Sequence, residues 1–194
     1  LAGACSMTAL LMYSAGSNNR FGSIKCLTRY RGKTVLEHNI EMLQILFDKI
    51  YVVVGQQNLD KYPKIPNVEY IPIVPGGGCG RCVLRSLEVL QVDEAVVMWS
   101  DILLTIENLI TVEQLISEDV ESITMPVVFK NSPYVKIHIH NDVATHADLE
   151  PPTGYGWTDC CMFKINKSAV LNALTLLEYA TLQINGEYNT PSKE

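Results

Sequence analysis

Apolar residues in this chain come in two rhythms, and the rhythms mark its elements. Residues 8–13, TALLMY, form an unbroken apolar run, the pattern of a strand covered on both faces. A polar loop rich in Gly, Ser and Asn follows at 14–23. Over 33–46 the spacing becomes helical, with Val35, Leu36, Ile40, Leu43 and Leu46 on one face. IYVVVG at 50–55 and VEYIPIV at 68–74 read as two further strands, and PGGGCG at 75–80 as a loop. Cys82, Val83, Leu87 and Leu90 give the next helix, and EAVVMWSD at 94–101 gives a fourth strand that ends in an acid. A helix is predicted over 107–118 from Leu109, Ile110, Val112, Leu115 and Ile116.

The rhythm then changes. Residues 121–129 and 134–142 are close together and β-rich, as in a hairpin or a mixed-sheet extension. Residues 157–165 read as one more strand, 168–182 as a last helix, and the remaining tail as frayed. Strand–helix alternation over 8–118 predicts right-handed crossovers and a parallel sheet, with antiparallel strands added at one side. The fold class expected is therefore α/β, three-layer and Rossmann-like, with a mixed, mainly parallel sheet. Such sheets bind ligands beyond the carboxyl ends of their strands. That rule selects the loop after residue 13, Gly55, the loop 75–80 and Asp101 as site walls.

Composition narrows the classes. The 194 residues are 47% hydrophobic and 19% charged, suited to one well-buried domain. Net charge is −6, which argues against a nucleic-acid polymer as partner. The charge is uneven, however: Arg20, Lys25, Arg29, Arg31 and Lys33 are the only charged residues before Glu37. No apolar run reaches the roughly 18 residues of a membrane span. Six cysteines, among them Cys79-x-x-Cys82 and adjacent Cys160 and Cys161, do not make a disulfide scaffold. Reduced thiols and a cytoplasmic location are expected. Met7 precedes the first strand and could be the native start, residues 1–6 then being a non-native remnant; the single domain would run over 7–194.

Three segments carry candidate chemistry. In the loop 14–25, Ser14, Ala15, Gly16, Ser17 and Asn18 supply backbone N–H groups that could cradle an anion, and Arg20 and Lys25 supply cations. The loop is neither a Walker A sequence nor GxGxxG. Asp101 at a strand end is poorly explained by packing and suits Mg²⁺ beside phosphates; a turn or helix-capping acid is the bland alternative. Gly76, Gly77 and Gly78 would let a flat ring approach the backbone, or simply make a tight connection. Arg81 and Arg85 share a helix face, from which Arg81 could reach a triphosphate. His138 and His140 alternate along one strand and with His146 could bind a metal, although no third ligand is fixed by spacing. Tyr155 and Trp157 could wall an acceptor pocket or equally pack as core or as a lid.

The stretch 8–38 resembles the opening of the sugar-phosphate nucleotidyltransferases and small-molecule cytidylyltransferases, which share a MobA-like NTP transferase fold. Their signature is an apolar strand, LAAGxGxRxG, a Lys, and a GKxxLEH helix start. Here stand Tyr13-Ser14-Ala15-Gly16, then Arg20, Gly22 and Lys25, then Gly32-Lys33 and Leu36-Glu37-His38. GGGCGRCVLRSL at 76–87 is similar to the base-contacting loop of the cytidylyltransferases, and MWSDILL at 98–104 to the strand with the metal-binding Asp. Asn18 replaces the usual second Gly, and Tyr13-Ser14 replaces the first half of LAAG.

The resemblance implies Mg²⁺-dependent transfer of a nucleoside monophosphate, CMP favoured and UMP next, from an NTP to a small phosphorylated acceptor. A sugar phosphate, a phosphorylated alcohol such as phosphocholine, or a phosphonate would serve. Arg20, Lys25 and Asp101 would be catalytic. Ser14 to Asn18, Gly76 to Gly78 and Arg81 would bind the nucleotide, and residues 75–185 would include the acceptor side. Asp101 would hold the metal; Asp159 fits the second acid by position, with Asp142 and Asp148 as rivals. A homodimer is part of this expectation. Two other classes stay open: an inactive nucleotide-binding module, and a glycosyltransferase, against which counts the absence of an Asp at Trp99 to complete DxD.

Overall fold

A computed structural model describes residues 8–16, 22–74, 78–118, 123–148 and 153–185. In chain order the elements are β1 (Ala9–Ser14), β2 (Arg29–Tyr30), β3 (Lys33–Thr34), α1 (Val35–Leu43), β4 (Ile50–Gly55), β5 (Val68–Ile73), α2 (Gly78–Leu90), β6 (Glu94–Trp99), α3 (Ile106–Ser117), β7 (Ile123–Thr124), β8 (Val127–Asn131), β9 (Lys136–His140), β10 (Val143–Asp148), β11 (Tyr155–Asp159), β12 (Met162–Asn166) and α4 (Lys167–Asn185). Short 3₁₀ turns occupy Lys25–Leu27 and Gln56–Lys61.

The main sheet has the order β5-β4-β1-β6-β12-β7. Its β5, β4, β1 and β6 run parallel, and β12 and β7 add antiparallel pairings at one edge. Alternate residues of each strand face opposite layers. Leu10, Met12, Val52, Val54, Val96 and Met98 pack with Leu36, Ile40 and Leu43 of α1 and Val112 and Leu115 of α3. Leu11, Tyr13, Val53, Val97 and Ile165 pack with Val83 and Leu87 of α2 and Val170 of α4. The three-layer α/β expectation holds. On the second side α2 and α4 meet closely at Gly80, where a Cβ would come within 3.2 Å of Leu174.

Several boundaries differ from the sequence reading, each for a local reason. Helix α1 starts at Val35 rather than 33, because Thr34 and Glu37 form a capping box: Glu37 N–H donates to Thr34 Oγ1 and Thr34 N–H to the Glu37 carboxylate. The backbone N–H and the hydroxyl of Thr34 hold the Glu37 carboxyl below its ordinary range. Helix α2 begins already at Gly78, inside the segment read as a loop. Strand β6 ends at Trp99, so Asp101 stands in the turn beyond it.

The larger corrections lie in the second half. Within the segment 121–129 the described residues form two strands, β7 in the main sheet and β8 in a second sheet, parted at Met125-Pro126. Likewise 157–165 is β11 in the second sheet and β12 in the main one, parted at Cys160-Cys161. Pro cannot donate to a ladder, and Cys161 adopts φ 57°, so both places break strand pairing. The second sheet has the order β10-β9-β11-β8. Strands β8 and β9 are thus separated by β11 and make no hairpin. The hairpin partner of β9 is β10, a strand the sequence reading did not include.

Lys164 on β12 is buried and serves the end of α3. Its Nζ donates to the carbonyl oxygens of Ile116 and Glu118, and the Glu94 carboxylate lies 3.8 Å away. A cation at a helix C-terminus is favourable. Lys164→Met removes a donor from two helix-end carbonyls and leaves Glu94 without its cation. The expected loss is about 1–3 kcal/mol of stability, read as a lowered urea midpoint; an unchanged midpoint would contradict this role.

Candidate active site

The sheet order reverses between β1 and β6: β1 leads outward to β4 and β5 on one side, and β6 lies on the other. In open α/β sheets ligands bind at such a reversal, in the crevice beyond the carboxyl ends of the strands. Its floor is hydrogen-bonded. Ser100 donates twice to the Tyr13 carbonyl, from its backbone N–H (3.0 Å) and from its hydroxyl (2.8 Å), joining the ends of β1 and β6.

Beyond Ser100 the turn 100–104 is held by Asn39 of α1, which is fully buried. Its Nδ2 donates to the carbonyls of Ser100 (3.4 Å) and Ile102 (2.5 Å), and its Oδ1 accepts from Leu104 N–H (3.1 Å). His38 Nε2 lies 3.1 Å from the Leu104 carbonyl. Asp101 projects from the middle of this clamped turn. Its carboxylate is 3.5 Å from Lys25 Nζ, with both side chains partly open to solvent. The turn keeps a carboxylate and a cation side by side at the sheet edge.

Beneath the start of the 14–25 loop, the Ser14 hydroxyl lies 2.6 Å from the Tyr62 hydroxyl and 3.1 Å from Cys26 Sγ. Tyr62 also donates to the Ser14 carbonyl (3.1 Å). Burial pushes the Tyr62 phenol and the Cys26 thiol up, so both stay protonated. Ser14 therefore anchors the loop through its side chain. Tyr13 does the same on the other face of β1. Its hydroxyl reaches Ser86 Oγ (2.7 Å) and the Cys82 carbonyl (3.0 Å), tying β1 to α2. Ala15 is buried and Gly16 exposed at the loop entrance.

Ser17, Asn18, Arg20, Gly76 and Gly77 lie outside the described residues. Gly78 opens α2, and Arg81 stands in its first turn. Arg85 donates to the Val74 carbonyl (3.1 Å) and so fastens the end of β5 to α2. Tyr155 and Trp157 are exposed on the second sheet, where each contacts Phe129. They are not core.

The three acids considered for a second carboxylate part company. Asp159 sits at the corner between the sheets, its Oδ1 accepting from Cys161 N–H (2.7 Å), and Trp99 N–H at the end of β6 donates to the Cys161 carbonyl (3.3 Å). Burial, then Asp159, then Asp101 push the Cys161 thiol up to about 12. Asp159 and, more weakly, Asp101 both act on this thiol, which stays protonated. Asp142 is in the β9–β10 turn, and Asp148 pairs with His138. The H-x-H expectation is also revised: His146 and Asp148 gather with His138, and His140 does not.

For a dication, Asp101 beside Lys25 and Asp159 at the corner between the sheets offer carboxylate oxygens. Hard oxygen donors are the set Mg²⁺ takes, so the chemistry of these two side chains fits it. Asn39, Tyr62 and Ser86 were missed from sequence. The available signal for Asn39 was an amide on the apolar face of α1, between Leu36 and Leu43.

A three-layer sheet, with a Gly/Ser loop after its first strand and a carboxylate–lysine pair at its switch point, defines a nucleotidyltransferase-type unit. The chain belongs to the MobA-like NTP transferase domain family, whose model matches residues 11–144. A "Probable molybdenum cofactor guanylyltransferase" of Bacillus cereus (strain AH187) is 24% identical over 94 residues, 47% of each chain. The chain spans about half the length of the curated relatives it matches. Among solved structures, HddC from Yersinia pseudotuberculosis complexed with GMP-PN has a TM-score of 0.64 at 15% identity, covering 84% of this chain and 78% of that one. CMP:2-keto-3-deoxy-manno-octonic acid synthetase complexed with CTP has a TM-score of 0.64 at 12% identity, covering 92% and 86%. These share the fold. No described helix is long and apolar enough to cross a membrane.

Proposed function

We propose that the protein transfers a nucleoside monophosphate from an NTP to a small phosphorylated acceptor and releases pyrophosphate. The observation that carries this reading is the Lys25–Asp101 pair at the switch-point crevice of a chain in this family. A phosphate oxygen of the acceptor attacks the α-phosphorus, a new P–O bond forms, and the bond to pyrophosphate breaks in line. No covalent enzyme intermediate is required. Lys25, with Arg20 by resemblance, holds the triphosphate and neutralises the departing pyrophosphate. Asp101 and Asp159 would hold Mg²⁺, whose chemistry is charge neutralisation on phosphate oxygens. Backbone of Ser14 to Asn18 and Gly76 to Gly78, with Arg81, would seat the nucleotide, and the second sheet would face the acceptor.

The likeness of 76–87 to the cytidylyltransferase loop supports CTP. A second base choice, GTP, is supported by the printed name of the curated relatives. None of the described cysteines is in a disulfide, which suits the reducing cytoplasm. A homodimer belongs to the same reading, and sedimentation velocity decides it.

The test crosses four NTPs and Mg²⁺ with phosphorylated sugars, alcohols and phosphonates, and measures pyrophosphate. Release with one NTP and one acceptor class is expected. If no pair releases pyrophosphate while an NTP raises the melting temperature, the chain is a binding module instead. Within an active pair, Lys25→Ala is expected to lower kcat about 10²-fold, with the fold intact because Lys25 is a partly exposed residue on a 3₁₀ turn. Unchanged kcat would remove Lys25 from the chemistry.

A further inference from the structure

We propose that the β9–β10 hairpin binds a borderline transition-metal dication, Zn²⁺ foremost, through His138, His146 and Asp148. One ligand atom from each lies within 4.8 Å of the others. The two imidazoles stack with centroids 3.9 Å apart and planes 8° from parallel, and His138 Nε2 is 2.8 Å from Asp148 Oδ2. In tetrahedral coordination with bonds of about 2.0–2.1 Å, donor atoms sit about 3.3 Å apart. Binding therefore parts the His138–Asp148 pair slightly and turns the two rings out of their stack so that their lone pairs converge, and the metal takes the place of the proton that His138 Nε2 shares with Asp148. Two nitrogens and one carboxylate leave a fourth position for water or an anion.

The hairpin is shaped to gather these groups. Its turn is tight: Asn141 and Asp142 both take positive φ, 48° and 61°, and Val143 pairs with His140. Regular pairing from there would set Thr145 opposite His138 and turn His146 to the other face. A bulge between Ala144 and His146 shifts the register, so His146 pairs with His138 and Asp148 with Lys136. The bulged residue is itself engaged. Thr145 Oγ1 donates to the His138 carbonyl (3.1 Å) and lies 3.3 Å from His146 Nδ1. With its hydrogen committed to the carbonyl, the hydroxyl accepts from His146 Nδ1–H, and the lone pair of His146 is then on Nε2. An oxygen acceptor that fixes the tautomer of a ligating histidine is the usual outer partner of a metal site.

The donor set separates this site from the crevice. Imidazole nitrogens favour zinc and its neighbours over Mg²⁺, so the site stands independently of the nucleotide chemistry.

The test is isothermal titration of the full chain, freed of metal by chelator, with ZnCl₂ in excess Mg²⁺. Cobalt(II) absorption serves as the second readout. One equivalent of zinc is expected to bind, and cobalt is expected to give four-coordinate visible bands without a thiolate charge-transfer band. His138→Ala and His146→Ala should each weaken zinc at least ~100-fold, the upper end of what losing an outer-sphere partner costs. His140→Gln, on the same strand but outside the cluster, should leave it unchanged. The proposal is overturned if the wild-type chain binds no zinc, if both alanine variants bind as wild type, or if cobalt reports thiolate ligands. The hairpin is exposed, so circular dichroism is expected to show both variants folded; the wild-type titration and cobalt spectrum decide the matter even if one is not.

Discussion

Asp101→Asn is expected to reduce pyrophosphate release by about 10²–10³-fold, the cost of losing one preorganised charged contact in a transition state. Asparagine keeps the shape and one oxygen but removes the charge that Lys25 meets and that would hold Mg²⁺ under the proposed function. Stability should barely change, because the Lys25–Asp101 pair is partly exposed and such pairs contribute about 0–1 kcal/mol. The two readouts therefore separate: a large fall in kcat with an unshifted melting temperature. Chelator should silence the wild-type enzyme, and Mg²⁺ should restore it. Turnover in the variant equal to wild type would refute the assignment of Asp101.

The second large effect is expected away from the substrate, at Asn39. This buried amide makes three contacts to the turn that carries Asp101. Asn39→Ala leaves Leu104 N–H and the Ser100 and Ile102 carbonyls without their partner. Each buried group left unmade costs about 1–3 kcal/mol. Partial relaxation brings the expected total to about 2–4 kcal/mol, visible as a lowered denaturant midpoint. Asn39 is a positioning residue, so a second readout is expected to move as well. The Mg²⁺ concentration for half-maximal rate should rise, measured well below the melting temperature. A midpoint and a Mg²⁺ dependence both equal to wild type would dismiss the clamp.

The parallel half was legible because a strand covered by helices on both faces is written as an unbroken apolar run. Strands β1, β4 and β6 each have such a run, and the loop and acid that follow them mark the crevice. The corners were not legible. Apolar residues continue through Met125-Pro126 and through Cys160-Cys161, and nothing in a period of two says that a strand has changed sheets. Strand β10 was missed because all six of its residues are exposed, so VATHAD shows no buried face. The histidine cluster was half legible. Strand alternation pointed to His138 with His140, whereas a bulge at Thr145, invisible to composition, brings His146 and Asp148 instead. Asn39 was overlooked for the opposite reason: it lies on the apolar face with Leu36, Ile40 and Leu43, where the apolar spacing alone is enough to predict the helix.

The two corners also touch. Cys160 N–H donates to the Pro126 carbonyl at 3.1 Å, so the chain's two passages between sheets are laced together at one point. Mechanically this is a pivot. Any tilt of the second sheet against the first turns about it, and displacement grows with distance from it. Asp159 lies next to this point, and Trp157 and Tyr155 lie two and four residues farther along β11, so a tilt of the second sheet would carry the aromatic pair farther than the acid.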